Sequence, residues 1–151
     1  MPTVTTFQQK LGSGSIQTLL STALNSLANN ALALTAAFTP ANYQRRALVE
    51  IAISGFGGNV AVNGAISLWS LASIDGTTYE DGGASLTPAR FADRVFPLRS
   101  GISGAQTVVR WVPLAPGASK LLLKNDATGQ ALASSGNTLR ILEIDDLGNA
   151  P

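Results

Sequence analysis

The 151-residue chain contains no cysteine and no histidine, and only 13% of its residues are charged. Each shortage removes a class of function. Without cysteine there is no disulfide and no thiolate metal site, and the redox compartment stays open. Without histidine the commonest general base, the commonest metal ligand and the usual partner of a Ser or Cys nucleophile are missing. Ten Lys and Arg against nine Asp and Glu leave a net charge of +1, too balanced for the clustered basic surface that phosphate binding needs. The adjacent basic pair Arg45–Arg46 reads as a solvated pair at a strand entrance. No window approaches the roughly 18 apolar residues of a membrane span. The stretch Leu19–Phe38 is interrupted by Asn25, Asn29 and Asn30 and preceded only by Lys10, which does not suit an export leader. Neither nucleic acid nor membrane is expected as a partner, and the chain reads as soluble and unprocessed.

What is present is apolar: 45% of the residues are hydrophobic, while an average globular protein is about 25% charged. A domain this small has much surface and few charges to cover it, so burial of apolar surface against other subunits is expected. Residues 1–15 are rich in Thr, Gln, Gly and Ser and end in GSGS, the composition of a flexible N-terminal arm. In residues 16–30, Ile16, Leu19, Leu20, Ala23, Leu24 and Leu27 recur at helical spacing, with Ser15 as N-cap and Asn29–Asn30 as stop. This segment reads as a short helix or as an irregular, partly extended connector.

From Ala31 the period changes to two. Leu32 and Leu34 lead to Phe38 and Pro40; Arg46–Ser54 puts Val49, Ile51 and Ile53 on one face; Ala65–Ser73, Arg90–Arg99, Thr107–Leu114, Lys120–Lys124 and Thr138–Ile144 follow. About eight short strands with frequent turn signals over residues 31–146, and a tail at 147–151, predict an all-β jelly-roll β-sandwich with an extended N-terminal arm.

Catalytic and ligand-binding patterns are sparse. Asp75, Glu80 and Asp81, in the loop Asp75–Gly83, offer oxygens for calcium, although Asp-Gly is equally hairpin-turn chemistry. Glu50 and Glu143 lie mid-strand and would need to flank a common cleft for hydrolysis; a solvent-facing position or a salt bridge with Arg94, Arg110 or Arg140 is the simpler reading. Trp69, Trp111, Tyr43 and Tyr79 raise the possibility of a sugar platform, yet both tryptophans sit inside strands with apolar neighbours and suit a core or a subunit contact. The GFGG segment lacks the Lys-Ser/Thr of a phosphate loop. No catalytic, cofactor-binding or metal residue is assigned, and no cofactor is expected.

Three segments carry a resemblance: ISLWSLASIDGTTYEDGG (Ile66–Gly83), VPLAPGASKLLLKND (Val112–Asp126) and GQALASSGNTLRILEI (Gly129–Ile144). In their order, a strand ending in a Ser-x-Asp-Gly-Thr-x-Tyr loop, a Pro-Gly turn before a Leu-rich strand, and a closing Ser-Gly-Asn-Thr-Leu, the chain resembles the jelly-roll head decoration, or cement, proteins of tailed bacteriophages. The resemblance implies a non-enzymatic protein on the outer capsid surface of a virion, made in the host cytoplasm. It also implies a dimer or trimer that binds the major capsid protein with a terminal arm reaching over neighbouring subunits. The interface residues expected are Phe7, Leu11, Ile16 and Leu20 of the arm region, with Trp69 and Tyr79 on the body. The alternative is a carbohydrate- or receptor-binding β-sandwich of a phage tail or baseplate.

Overall fold

The structure, a computed structural model, describes residues 10–11, 16–40, 46–115 and 117–145. Nine strands are present among them: β1 Lys10–Leu11, β2 Gln17–Leu20, β3 Leu32–Leu34, β4 Arg46–Ile53, β5 Ala65–Ser73, β6 Arg94–Pro97, β7 Gln106–Pro113, β8 Ala118–Asp126 and β9 Thr138–Asp145. The first sheet runs β2–β9–β4–β7, with β1 beside β2 on the same edge of β9; the second runs β3–β8–β5–β6. Every pairing is antiparallel.

The pairs β2–β9, β3–β8, β4–β7 and β5–β6 are nested one inside the next, as in a single long hairpin whose tip lies between β5 and β6. Alternate pairs fall in alternate sheets, and the added contacts β4–β9 and β5–β8 close each sheet. This is the jelly roll: eight strands in two facing sheets, plus the two-residue β1.

Strand alternation decides the core. Ala47, Val49, Ile51 and Ile53 of β4 face inward with Leu139 and Ile141 of β9, and meet Ile66, Leu68, Leu121, Leu123 and Phe96 from the second sheet. Asn125 of β8 is fully buried and paired on all sides. Its Nδ2 donates to the carbonyls of Leu27 (2.9 Å) and Gln130 (2.8 Å), and its Oδ1 accepts from Thr128 Oγ1 at 2.6 Å. That network ties the turn after β2 to the turn after β8.

Three expectations are decided or corrected. Of the two readings of residues 16–30, the irregular, partly extended connector holds and the helix does not: Gln17–Leu20 is a strand paired with β9, and only Thr22–Leu24 makes a 3-10 turn, with no side-chain cap at Ser21. The helical spacing arises because Leu20, Leu24 and Leu27 reach the same core from a strand, a turn and a loop. Asn29 does not stop a helix; its Oδ1 accepts from the Gly129 amide at 2.9 Å and fastens the next turn. Within the expected arm, Lys10 and Leu11 pair with Asp145 and Ile144, so this part is an edge strand. The expected strand Arg90–Arg99 shortens to Arg94–Pro97, because residues 90–93 hold a different segment in place.

Leu20, 7% exposed, belongs to the core, whereas Ile16 is 60% exposed. Leu20→Ala is expected to cost about 2–4 kcal/mol in urea unfolding, and Ile16→Ala less than about 0.5 kcal/mol. Equal, small losses at both positions would put Leu20 outside the core.

Candidate functional site

A two-sheet sandwich has two outer faces, and this chain treats them oppositely. The outer face of the second sheet carries Trp69, Leu71 and Leu122, which form a second apolar cluster with Leu32, Leu34, Tyr79 and Ala92. The long connection between β5 and β6, residues 74–93, lies over it as a strap. Trp69 is 4% exposed, and its indole N–H donates to the Arg90 carbonyl at 3.1 Å. Gly82 lets the strap lie flat. Its φ is +135°, and a Cβ there would come within 2.8 Å of Pro88 and 3.2 Å of Leu71, which an L side chain does not tolerate. Tyr79 is half-buried; Lys120 Nζ sits 4.1 Å from its ring centroid, and its hydroxyl donates to the Gly76 carbonyl at 3.3 Å.

Arg90 clamps the strap to the edge of β5. Its Nη1 donates to Asp93 at 2.5 Å, and its Nη2 donates to the Ser70 carbonyl at 2.9 Å and to Glu80 at 3.2 Å. The hydrogen bond to Asp93 raises the guanidinium pKa above its ordinary value. β6 pairs with β5 only over Ala65–Leu68. Beyond that point strap side chains take its place: Asp93 accepts from the Ser70 amide at 2.7 Å, and Glu80 accepts from the Ala72 amide at 3.3 Å.

Asp75 begins the strap. Its carboxylate accepts from the amides of Thr78 (2.7 Å) and Thr77 (2.8 Å) and from Ser73 Oγ (3.0 Å). These bonds, the Thr78 amide foremost, hold its pKa well below the usual carboxylate range. Its oxygens are thus engaged with N–H groups of an Asx-type turn. Among the described residues no group of three or more acidic side chains is arranged to hold a metal ion.

The outer face of the first sheet has no such cover among the described residues. Trp111 of β7, 42% exposed, stands directly opposite Leu48 of β4, which stands opposite Leu142 of β9. This makes an apolar row across three strands. The next row holds Val109, 44% exposed, then Glu50 and Arg140, which are joined at 2.5 Å. On the other side Arg46 lies 5.9 Å from the Trp111 ring centroid, within cation–π range. The stripe of Trp111, Leu48, Leu142 and Val109, rimmed by Arg46, Glu50 and Arg140, has the make-up of a protein-docking surface: an aromatic anchor, an apolar centre and a charged rim. The strap adds Ile74 and Phe91, both fully exposed, at the hairpin tip.

The residues expected at an interface are scattered. Phe7 lies outside the described residues; Leu11 pairs through its backbone with Ile144; Ile16 is exposed. Leu20 and Trp69 are corrections: both are buried within the chain and present no surface, because one closes the core and the other is roofed by the strap. Tyr79 holds the strap down. Glu50 and Glu143 are not brought to one cleft: Glu50 sits on the outer face with Arg140, and Glu143 is buried opposite Ala47, whose side chain points inward. Trp111 was visible in sequence, in step with Val109 and Thr107 and out of step with Val108 and Val112. Both sets being apolar, the phase alone did not say which faced out.

No family model and no curated protein matches the chain. Among solved structures it is similar to a family 35 carbohydrate binding module from an environmental isolate, at 16% identity and a TM-score of 0.35, over 82% of this chain and 70% of that one. A likeness of this size carries no argument about function.

Two outcomes are expected. Gly82→Ala lifts the strap, so acrylamide quenching of Trp69, read in a Trp111→Phe background, increases; unchanged quenching would show that the strap is not held by this close approach. Second, because folding lowers the Asp75 pKa, its contribution to the turn is present above the unfolded value of about 3.9 and is lost as pH falls toward the lower folded value. The protection factors of the Thr77 and Thr78 amides, taken against the intrinsic exchange rate at each pH, fall below about pH 4 in the native chain, and Asp75→Ala lacks that protection at every pH. Acid-insensitive protection in the native chain would contradict this.

Proposed function

We propose that the chain is a non-enzymatic structural component of a virion, a decoration protein that binds the outer surface of a phage capsid. The observation that carries this reading is the apolar stripe Trp111–Leu48–Leu142 on the first sheet, with Trp111 exposed and the two leucines half-buried, over which no strap lies among the described residues, while the matching face of the second sheet is roofed. A partner that covers the stripe supplies what the strap supplies on the other side. The balanced charge suits a protein partner and not a nucleic acid. The family resemblance in Ile66–Gly83, Val112–Asp126 and Gly129–Ile144 supports the same reading, as does the placement of β1 on the edge of the stripe's own sheet. Two or three copies acting together would gain avidity from sites fixed on one shell.

The test is co-sedimentation with expanded phage capsids that lack their decoration protein. Saturable binding is expected at a copy number that is a multiple of the capsid's symmetry-related sites. Trp111→Ala is expected to weaken it by about 30-fold, equivalent to about 2 kcal/mol for an aromatic anchor, with an unchanged thermal midpoint. Absence of capsid binding, or binding indifferent to Trp111, would sink the proposal.

A further inference from the structure

From Leu11 to Gln44 the chain carries no charged residue, although charged residues make up 13% of the whole. Both strands that border the sheets on one side come from this stretch: β2 is an edge strand of the first sheet and β3 an edge strand of the second. The opposite borders, β7 and β6, are guarded. Arg110 and Arg94 stand at inward-facing register positions, opposite Val49 and Leu68, and the strands end in Pro113 and Pro97. Charge and proline at an edge are the usual means by which a sheet avoids adding a foreign strand.

β2 has neither. Its sequence is Gln17-Thr18-Leu19-Leu20, and it pairs with β9 on one side and with no described strand on the other. Backbone N–H and C=O groups of an antiparallel strand point to its two sides in turn, so about half of those in β2 face away from β9. Gln17 and Thr18 are exposed, and Ile16, 60% exposed, adds an apolar side chain at the start of the edge. The charges that stand in register along this edge are matched within the chain. Arg140, opposite Thr18, is ion-paired with Glu50, and Lys10 stands opposite Asp145.

Electrostatics decides what such an edge fits. A charged partner would find no counter-charge anywhere from Leu11 to Gln44. Two copies of a charged edge would repel each other, whereas two copies of this one do not. A strand edge laid antiparallel on its own copy is also self-complementary in donors and acceptors, as a two-fold interface requires.

We propose that β2 pairs antiparallel with β2 of a second copy of this chain to form a two-fold dimer. The first sheets then join edge to edge, β7–β4–β9–β2 of one protomer continuing into β2–β9–β4–β7 of its partner. The two-fold axis is perpendicular to the sheet at the seam. Both Trp111 stripes therefore lie on the same face of the joined sheet, and neither is used in the seam. The dimer belongs to the isolated chain and does not rest on capsid binding.

The experiment is sedimentation velocity of the full chain, without capsids, at concentrations up to about 1 mM. A reversible dimer is expected, with a Kd on the order of 10–100 µM, as suits a small interface. Hydrogen exchange of the Gln17–Leu20 amides is expected to slow as the dimer fills. Gln17→Lys, which puts two like charges at the seam, is expected to weaken the dimer at least about tenfold while leaving the thermal midpoint of the dilute monomer unchanged. Thr107→Lys, on the guarded β7 edge, is expected to leave the dimer intact. A monomer throughout the concentration range would overturn the proposal. So would a dimer that survives Gln17→Lys, including one lost instead with Trp111→Ala, which would seat the second copy on the stripe. Because no capsid is present, these outcomes are independent of whether the chain decorates one.

Discussion

Apolar side chains in this sequence outnumber the places that a single layer between two sheets can bury, and the architecture follows from that excess. β4 and β9 fill the layer with one parity of residues, and β5 and β8 fill it from the other side. The opposite parity of the same strands is also apolar: Trp69, Leu71 and Leu122 on one sheet, Leu48, Leu142 and Trp111 on the other. With 13% charged residues there is little polar surface to hide them behind, so each outer face needs a cover. On the second sheet the chain supplies its own, a 20-residue strap fixed by Arg90, Tyr79 and the Trp69 indole. The first sheet has none among the described residues.

The edges show a related economy. β7 borders the first sheet and β6 the second, and each carries an arginine at an inward-facing register position: Arg110 opposite Val49 and Arg94 opposite Leu68. Both side chains reach the surface, and Arg94 Nε donates to the Trp111 carbonyl at 2.6 Å. An inward-pointing charge and an occupied carbonyl discourage another strand from adding to that edge. Edge pairing at β6 and β7 is thereby disfavoured, while the Trp111 ring stands on the outer face of the first sheet.

Much of the roll was legible in sequence, because strict alternation in Arg46–Ile53 and Thr138–Asp145 leaves only one way to sort a strand's faces. Reading failed where one face did not determine the other. Ile16 to Leu27 mimicked a helix because three unlike local structures deliver leucines to one core. The two tryptophans carry the same local signature, and only the strap, which packs by long-range contact, separates a roofed Trp69 from an open Trp111.

The nesting of the strand pairs also sets an order of events in time. Only β5 and β6 at the centre, and then β4 and β7 around them, find their partners early in synthesis. β3 must wait for β8, and β2 for β9 at the far end of the chain. While the ribosome is still at work, the apolar residues of Gln17–Leu34 have no sheet to join, and the last strand to emerge is the one both β2 and β4 require. Long-range pairing of this kind folds slowly and leaves apolar segments exposed meanwhile. The composition of the early chain, with Ser, Thr and Asn spaced among its leucines, keeps that waiting segment hydrated until its partner arrives.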